Sequence, residues 1–559
     1  MGKVRAYDSP IGIPAPFFGI DQVHTDYAGS TYVAGGFIYR DAGNGPYSHY
    51  IDNTSGSCTD TANTYGTETI PRCIIPTSIP TGSVVELHGG PYSALDLSGG
   101  ILGTAQAPIF IRGYDRNNKT VLTGRGISFN NTVIIENASY LILENLICDG
   151  SGLDGATGSS AFSIKSPSDH ISIRYSEMRN YPMPDFCPLL DRACWYSAVN
   201  GSGTSSATYE ADPLARSSYI VWYNNYIHDN SIYPLAYETG RHGIMVESGS
   251  ENIWILDNKI ERSGDDGVQV FHYAGGEHGP SARNIYIGRN EVNDMGENAF
   301  DIKQSYDVVM SENKIWGFRK TDQLGAGSDG SAIVLNNDDP SDRLWVINNE
   351  IFDSNLGIRS NSIGNVYLTG NIIRDIVRYP RAPDPTALNT SGCGIAGSRS
   401  AELNIAHNTF NAIDAGICLG YTAGPIYVEN NLISDLNEEI IGYAIAYYSG
   451  LLTAYNNLIN STNGNNRLFK VVCSNCLIGQ NPLFTDVNNN NFHLLAGSPA
   501  IGAGTTTSNI FEDFETLYGF SIAYDYDGNP RPAGAWTLGA FEYVSDPTSP
   551  SSPTGLSVL

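Results

Sequence analysis

Basic side chains are scarce in this chain of 559 residues: Lys and Arg number 31 against 58 Asp and Glu, a formal net charge of −27. A surface of that sign repels nucleic acid and anionic membranes, which excludes both as partners. Long apolar runs are also missing. No stretch of about 18 apolar residues occurs, so no helical membrane span is expected. Charged residues of both signs make up only 16 %. The start, Met1-Gly2-Lys3, carries no export signal, so a secreted location is inferred from the cysteines and the fold instead.

The nine cysteines include three close pairs, Cys58 with Cys73, Cys187 with Cys194 and Cys473 with Cys476. Such spacing fits loop staples made in an oxidising compartment. Zinc is the competing reading, but no second CxxC or His pair lies near Cys473-Ser474-Asn475-Cys476. Cys148, Cys393 and Cys418 remain, and an odd count leaves at least one free, buried thiol.

What the chain has in abundance is Gly (60), Tyr (34) and Asn, a mixture that suits β-structure with many turns. One pattern dominates. An apolar-x-apolar strand leads into Asn-x-Ile/Val, as in Ile253-Trp254-Ile255 before Asn258-Lys259-Ile260 and Trp345-Val346-Ile347 before Asn349-Glu350-Ile351. From Asn225 through Asn258, Asn290, Asn313, Asn349, Asn371, Asn408 and Asn431 to Asn457, the intervals are 33, 32, 23, 36, 22, 37, 23 and 26 residues. The short intervals match one turn of a β-solenoid, and the long ones are a turn plus a loop. A single turn cannot bury its inward residues. Turns stacked about 4.8 Å apart make a continuous core and satisfy the backbone donors. An Asn at the same bend of each turn lets its amide bond to the next, forming a ladder. The fold read from this pattern is all-β, a right-handed parallel β-helix of the pectate-lyase-like solenoid kind.

A second strand precedes each Asn strand. Aligning His242–Glu247, Asp266–Phe271, Asn298–Lys303, Ser331–Asn336 and Leu356–Asn361 puts Ile244/Val246, Val268/Val270, Phe300/Ile302 and Ile333/Leu335 inward. Two outward columns result: Met245, Gln269, Asp301, Val334, Arg359, and Glu247, Phe271, Lys303, Asn336, Asn361. A polymer chain could lie along them. Three neighbouring turns concentrate the ionisable groups, Arg241, His242 and Glu247, then Asp265 and Asp266, then Asp301 and Lys303; later in the chain the same columns hold Ala396, Ser398, Cys418 and Gly420.

Ser263-Gly264-Asp265-Asp266-Gly267-Val268, followed by Glu297-Asn298-Ala299-Phe300-Asp301-Ile302-Lys303, resembles the Asp-rich calcium turn and lysine-bearing strand of polysaccharide lyase family 9. The stretch from Tyr50 to Tyr92 resembles the opening of secreted β-helix polysaccharide enzymes, and Asn481 to Tyr543 their closing segment. The resemblance implies β-elimination on a uronic-acid polysaccharide, with Lys303 as base and Ca²⁺ on Asp265 and Asp266; Asp301, Glu247 and His242 complete the candidate catalytic set, with Glu247 and Asp301 available as substitute ligands. Arg241, Arg359, Phe271 and Tyr273 are the expected substrate contacts, and a monomer is expected. A lysine base must be neutral, so pairing of Asp301 with Lys303 would weaken this reading. Gln269 stands where the family pattern has a further Asp, and Asp266 and Lys303 are five strand positions apart, roughly 16 Å if extended.

Two other functions stay open. A β-helix glycoside hydrolase needs two carboxylates about 5 to 9.5 Å apart, and Glu247, Asp265, Asp266 and Asp301 supply candidates. A non-catalytic carbohydrate-binding stalk would need none of the clustered charge. Residues 185–218, with Trp195, Tyr196 and Tyr209, are expected to wall a groove together with His272 and Tyr273. The domain reading is an N-terminal segment over 1–45, the β-helix over 46–545, and a Pro/Ser-rich linker over 546–559 toward a following domain.

Overall fold

The computed structural model describes residues 7–27, 38–41, 43, 45–124, 131–153, 160–181, 200–203, 216–230, 242–270, 281–319, 330–336, 342–378, 392–436, 443–461, 466–505, 509–532 and 534–544. It is a right-handed parallel β-helix, and its chain divides into two compact units, Met1–Ser9 with Pro14–Gly296, and Pro10–Ile13 with Glu297–Leu559. No helix among the described residues is long and apolar enough to cross a membrane.

Each coil contributes one strand to each of three parallel sheets. In the first unit the first sheet includes Ile244–Val246 and Val268–Val270, paired Ile244 to Val268 and Val246 to Val270. The second includes Ser217–Tyr223, Glu251–Leu256 and Ala282–Gly288. The third includes Tyr226–Asn230, Lys259–Ser263 and Glu291–Asn293. The second unit repeats the plan, with Phe300–Ile302, Ser331–Leu335 and Leu356–Ser360 in its first sheet. All eight residues read as inward, Ile244, Val246, Val268, Val270, Phe300, Ile302, Ile333 and Leu335, are fully buried.

The asparagine ladder is present in both units. In the first, Asn225 and Asn258 each donate their backbone N–H and Nδ2 to the Oδ1 of the next Asn, at 2.9–3.0 Å. In the second the same double bond runs from Asn313 through Asn349, Asn371, Asn408 and Asn431 to Asn457. There it ends as the Asn457 N–H meets Cys476 Sγ at 3.4 Å. The residue before each Asn is left-handed: Asn224, Asp257 and Arg289 in the first unit, and Glu312, Asn348, His407, Asn430 and Asn456 in the second, have φ between 51° and 58°. Asn and Asp tolerate that conformation better than most residues, which accounts for much of their abundance. At Gly370, where φ is +71°, a Cβ would collide with the Asn348 side chain.

Chain ends cover the outward side of the second sheet in each unit. In the first, Trp254 Nε1 donates to Pro14 O at 2.7 Å, and Phe17 and Phe18 pack edge-on against His170 of the stack Tyr140–His170–Tyr219. In the second, the helix Ile510–Tyr518 lies on Trp345, which stacks on Tyr367 at 3.8 Å and meets Phe514 edge-on.

The Cys58–Cys73 and Cys473–Cys476 disulfides are present. Cys393–Cys418 joins two of the three cysteines left unassigned, and its separation of 25 residues is one coil. Cys148 is the buried free thiol. Cys187 and Cys194 lie outside the described residues, as do the aromatic loop residues Trp195, Tyr196, Tyr209 and His272 and the linker segment 546–559.

Candidate active site

The register of the first sheet builds the site. Because Ile244 pairs with Val268, the residues two positions earlier, His242 and Asp266, also fall side by side on successive coils. The Gly243 N–H donates to Asp266 O at 2.9 Å and locks that alignment. His242 Nδ1 lies 3.3 Å from Asp266 Oδ2, and His242 Nε2 lies 3.9 Å from Asp265 Oδ2. All three side chains are buried, and one donor atom from each falls within a span of 4.8 Å. Gln269 Nε2 donates to Asp266 Oδ2 at 3.1 Å. Gln269 therefore supports Asp266 from the position where the lyase pattern has another acid.

The other expected residues distribute as follows. Glu247 lies just past the strand Ile244–Val246, five positions from His242, and is not part of the three-residue cluster; burial pushes its carboxyl above the ordinary range. Asp301 and Lys303 belong to the second unit, where Lys303 Nζ lies 2.5 Å from Asp301 Oδ2. That is the pairing the lysine-base reading could least accommodate, because a neighbouring carboxylate favours the charged form of an amine. Arg359 stands on the outward column of the second unit between Val334 and Ala396. Arg241, Phe271 and Tyr273 lie outside the described residues.

The outward columns also differ from an open wall. Met245, Gln269, Asp301 and Val334 are 3–8 % exposed, with the two polar ones turned along the sheet to Asp266 and Lys303. Lys303, Asn336 and Asn361, one step further along their strands, stay partly exposed in the second unit.

The donor set departs from what calcium asks for. Ca²⁺ takes about six to eight oxygens, whereas one of the three donors here is an imidazole nitrogen, a ligand that suits transition ions. What the three groups can do directly is acid–base work: an imidazole, which ordinarily titrates near pH 6.5, held by one carboxylate and flanked by a second.

A family model described as a right handed beta helix region matches residues 197–339. No curated protein matches. Solved structures sharing the winding include a GH136 lacto-N-biosidase from Eubacterium ramulus, at 14 % identity and a TM-score of 0.33 over 77 % of this chain and 67 % of that one. The surface adhesin PfbA of Streptococcus pneumoniae shows 14 % and 0.43 over 65 % and 91 %. The periplasmic alginate epimerase AlgG shows 12 % and 0.39 over 71 % and 84 %. These values fix no chemistry for this chain.

Proposed function

We propose that this protein is an extracellular enzyme that cleaves a uronic-acid polysaccharide by β-elimination, with His242 as the base that removes the C5 proton. The observation that carries the reading is the convergence of His242, Asp265 and Asp266 from two successive coils. Asp266, 3.3 Å from Nδ1, orients the ring and stabilises the imidazolium formed on proton abstraction. Lys303, paired with Asp301, is given no base role.

Hydrolysis suits the same cluster less well. It requires two carboxyl groups about 5 to 9.5 Å apart with the sugar between them. Here the carboxylate oxygens lie within 4.8 Å and share that space with an imidazole. Extracellular action agrees with the disulfides Cys58–Cys73, Cys393–Cys418 and Cys473–Cys476.

The test is a screen of pectate, alginate and other uronans, with and without chelator, following the ultraviolet absorbance of unsaturated ends. His242→Ala is expected to lose about 10²–10⁴ of the rate, the usual worth of a positioned acid–base group, while Lys303→Ala stays within a few-fold. Reducing ends released without absorbance would mean hydrolysis. Loss of activity in Lys303→Ala alone would restore the lysine base, and sensitivity to chelator would bring calcium back.

A further inference from the structure

On the second sheet of the first unit, a column of alternating charge runs across successive coils. Glu86 pairs in register with Arg112, Arg112 with Glu144, and Glu144 with Arg174. The ion pairs Arg112–Glu86 and Arg174–Glu144 are buried. They also tie down the chain that crosses them, for Arg174 donates to the carbonyls of Gly19, Ile20 and Gln22 at 2.7–3.1 Å. Between this crossing segment and the corner after the sheet lies a cavity of about 280 Å³. Ligand pockets run from roughly 300 to 1,000 Å³, so the space suits one sugar ring rather than a chain segment.

Two lining groups have capacity left for a ligand. Asn145 is 8 % exposed, with φ of 59°, and its Oδ1 is buried without a hydrogen-bond partner; its Nδ2 donates to Gly113 O at 3.4 Å. A buried acceptor in that state asks for a donor such as a hydroxyl. Arg116 is exposed at the mouth, its guanidinium 3.6 Å above the Tyr175 ring. Stacking holds the fork flat and leaves its N–H edge for a carboxylate, the geometry guanidinium recognises best.

We propose that this cavity is an accessory carbohydrate site that takes a single uronate residue, with Arg116 on the sugar carboxylate and Asn145 Oδ1 accepting from a ring hydroxyl. The site stands on another sheet from the His242 cluster, and the inference rests on the cavity alone rather than on the cleavage reading. Its use would be to hold an acidic chain on a protein whose net charge of −27 otherwise repels it.

The experiment is calorimetric or saturation-transfer binding of galacturonate to the full chain, with galactose and sulfate as comparison ligands. Galacturonate is expected to bind saturably, and galactose at least tenfold more weakly. Arg116→Ala, at an exposed position, should weaken galacturonate about tenfold or more through loss of a charge-assisted contact. Asn145→Gly, which keeps the left-handed backbone, should weaken it about fivefold. His242→Ala should bind as well as the parent, which separates this site from the cleavage centre even if no uronan is cut. Equal binding of galactose, sulfate binding as tight as galacturonate, or unchanged affinity in both Arg116→Ala and Asn145→Gly would each overturn the proposal.

Discussion

Replacing Asn371 by Ala tests whether the asparagine ladder carries the second unit. Asn371 Oδ1 accepts from both the backbone N–H and Nδ2 of Asn349 at 3.0 Å. Its own Nδ2 shares protons among Val346 O, Thr369 O and Asn408 Oδ1 at 2.9, 3.2 and 2.9 Å. Alanine leaves the Asn349 N–H orphaned in a fully buried corner, a cost of about 1–3 kcal/mol, and removes the bonds made by the two Asn371 Nδ2 protons, worth about 1 kcal/mol each, while Asn349 Nδ2 keeps Met310 O and Ile347 O. The sum is about 3–5 kcal/mol. The Asn408 end is spared, because the backbone N–H of residue 371 still donates to Asn408 Oδ1 at 3.0 Å. Damage should therefore run toward Asn349 and not toward Asn408. A chain of this size need not unfold in two states, so the assay is native-state hydrogen exchange resolved by peptide. The peptide holding Asn349 should exchange about 10²–10⁴-fold faster in Asn371→Ala, as that free energy implies, while the one holding Asn408 changes far less. Full protection of the Asn349 amide in the variant would refute the reasoning.

Three further outcomes follow from burial. Burial raises the Glu247 carboxyl above 4.5, its ordinary value, so its stabilising contribution is present below that pH and is lost as pH rises through the folded value. Glu247→Gln should therefore melt higher than the parent at neutral pH, with the gap closing below 4.5 in matched thermal scans. His407 is fully buried, and desolvation, with Arg531 nearby, holds its imidazole well below 6.5; stability is then present above 6.5 and lost as pH falls. His407→Asn, which places at this corner the residue found at Asn348 and Asn430, should flatten that acid-side loss in the same scans. Cys148, buried and with its thiol pushed up by burial, should resist alkylation in the native protein and react in denaturant, read by mass spectrometry.

The coil was legible because its signal is periodic. Asn at one bend and Ile or Val at alternate positions repeat at intervals that a physical turn explains, and every inward residue so assigned is buried. The Cys393–Cys418 bond could have been found the same way, since 25 residues is the length of a coil. So could the contact of His242 with Asp266, 24 positions apart and in register. Features without a period were not legible. Nothing in the spacing indicated that Gln269 folds back onto Asp266, or that Met245, Gln269, Asp301 and Val334 of the first outward column are covered while Lys303, Asn336 and Arg359 stay partly open. Pairing of Asp301 with Lys303 was visible as an alternative, because residues two apart on a strand share a face, but choosing between a paired and a neutral lysine needed the distance. The charge column Glu86, Arg112, Glu144 and Arg174 is not legible in the sequence because its four members are 26, 32 and 30 residues apart, with loops of different length between them.

Charge on the other faces of these coils shows why the His242 cluster stands out. Along the third sheet of the first unit, unlike charges meet: Arg179 with Asp149 and Glu177, Lys259 with Glu261, and Arg262 with Asp229. In the second unit Arg374 meets Glu350 on the same face. On the second sheet Arg112 and Arg174 neutralise Glu86 and Glu144. Such ladders suffice for stacking, since each coil offers the sign its neighbour lacks. Asp265 and Asp266 form a different kind of group. They are consecutive residues of like charge, 3 % and 0 % exposed, brought against an imidazole. Taking two adjacent carboxyl groups and an imidazole out of water costs more than burying a single polar group, and stacking alone is served by the pairs found elsewhere on the coil. Buried clusters of titratable groups are found at functional sites more than in purely structural stacking, and the proton transfer proposed at His242 draws on that convergence of three side chains from two successive coils.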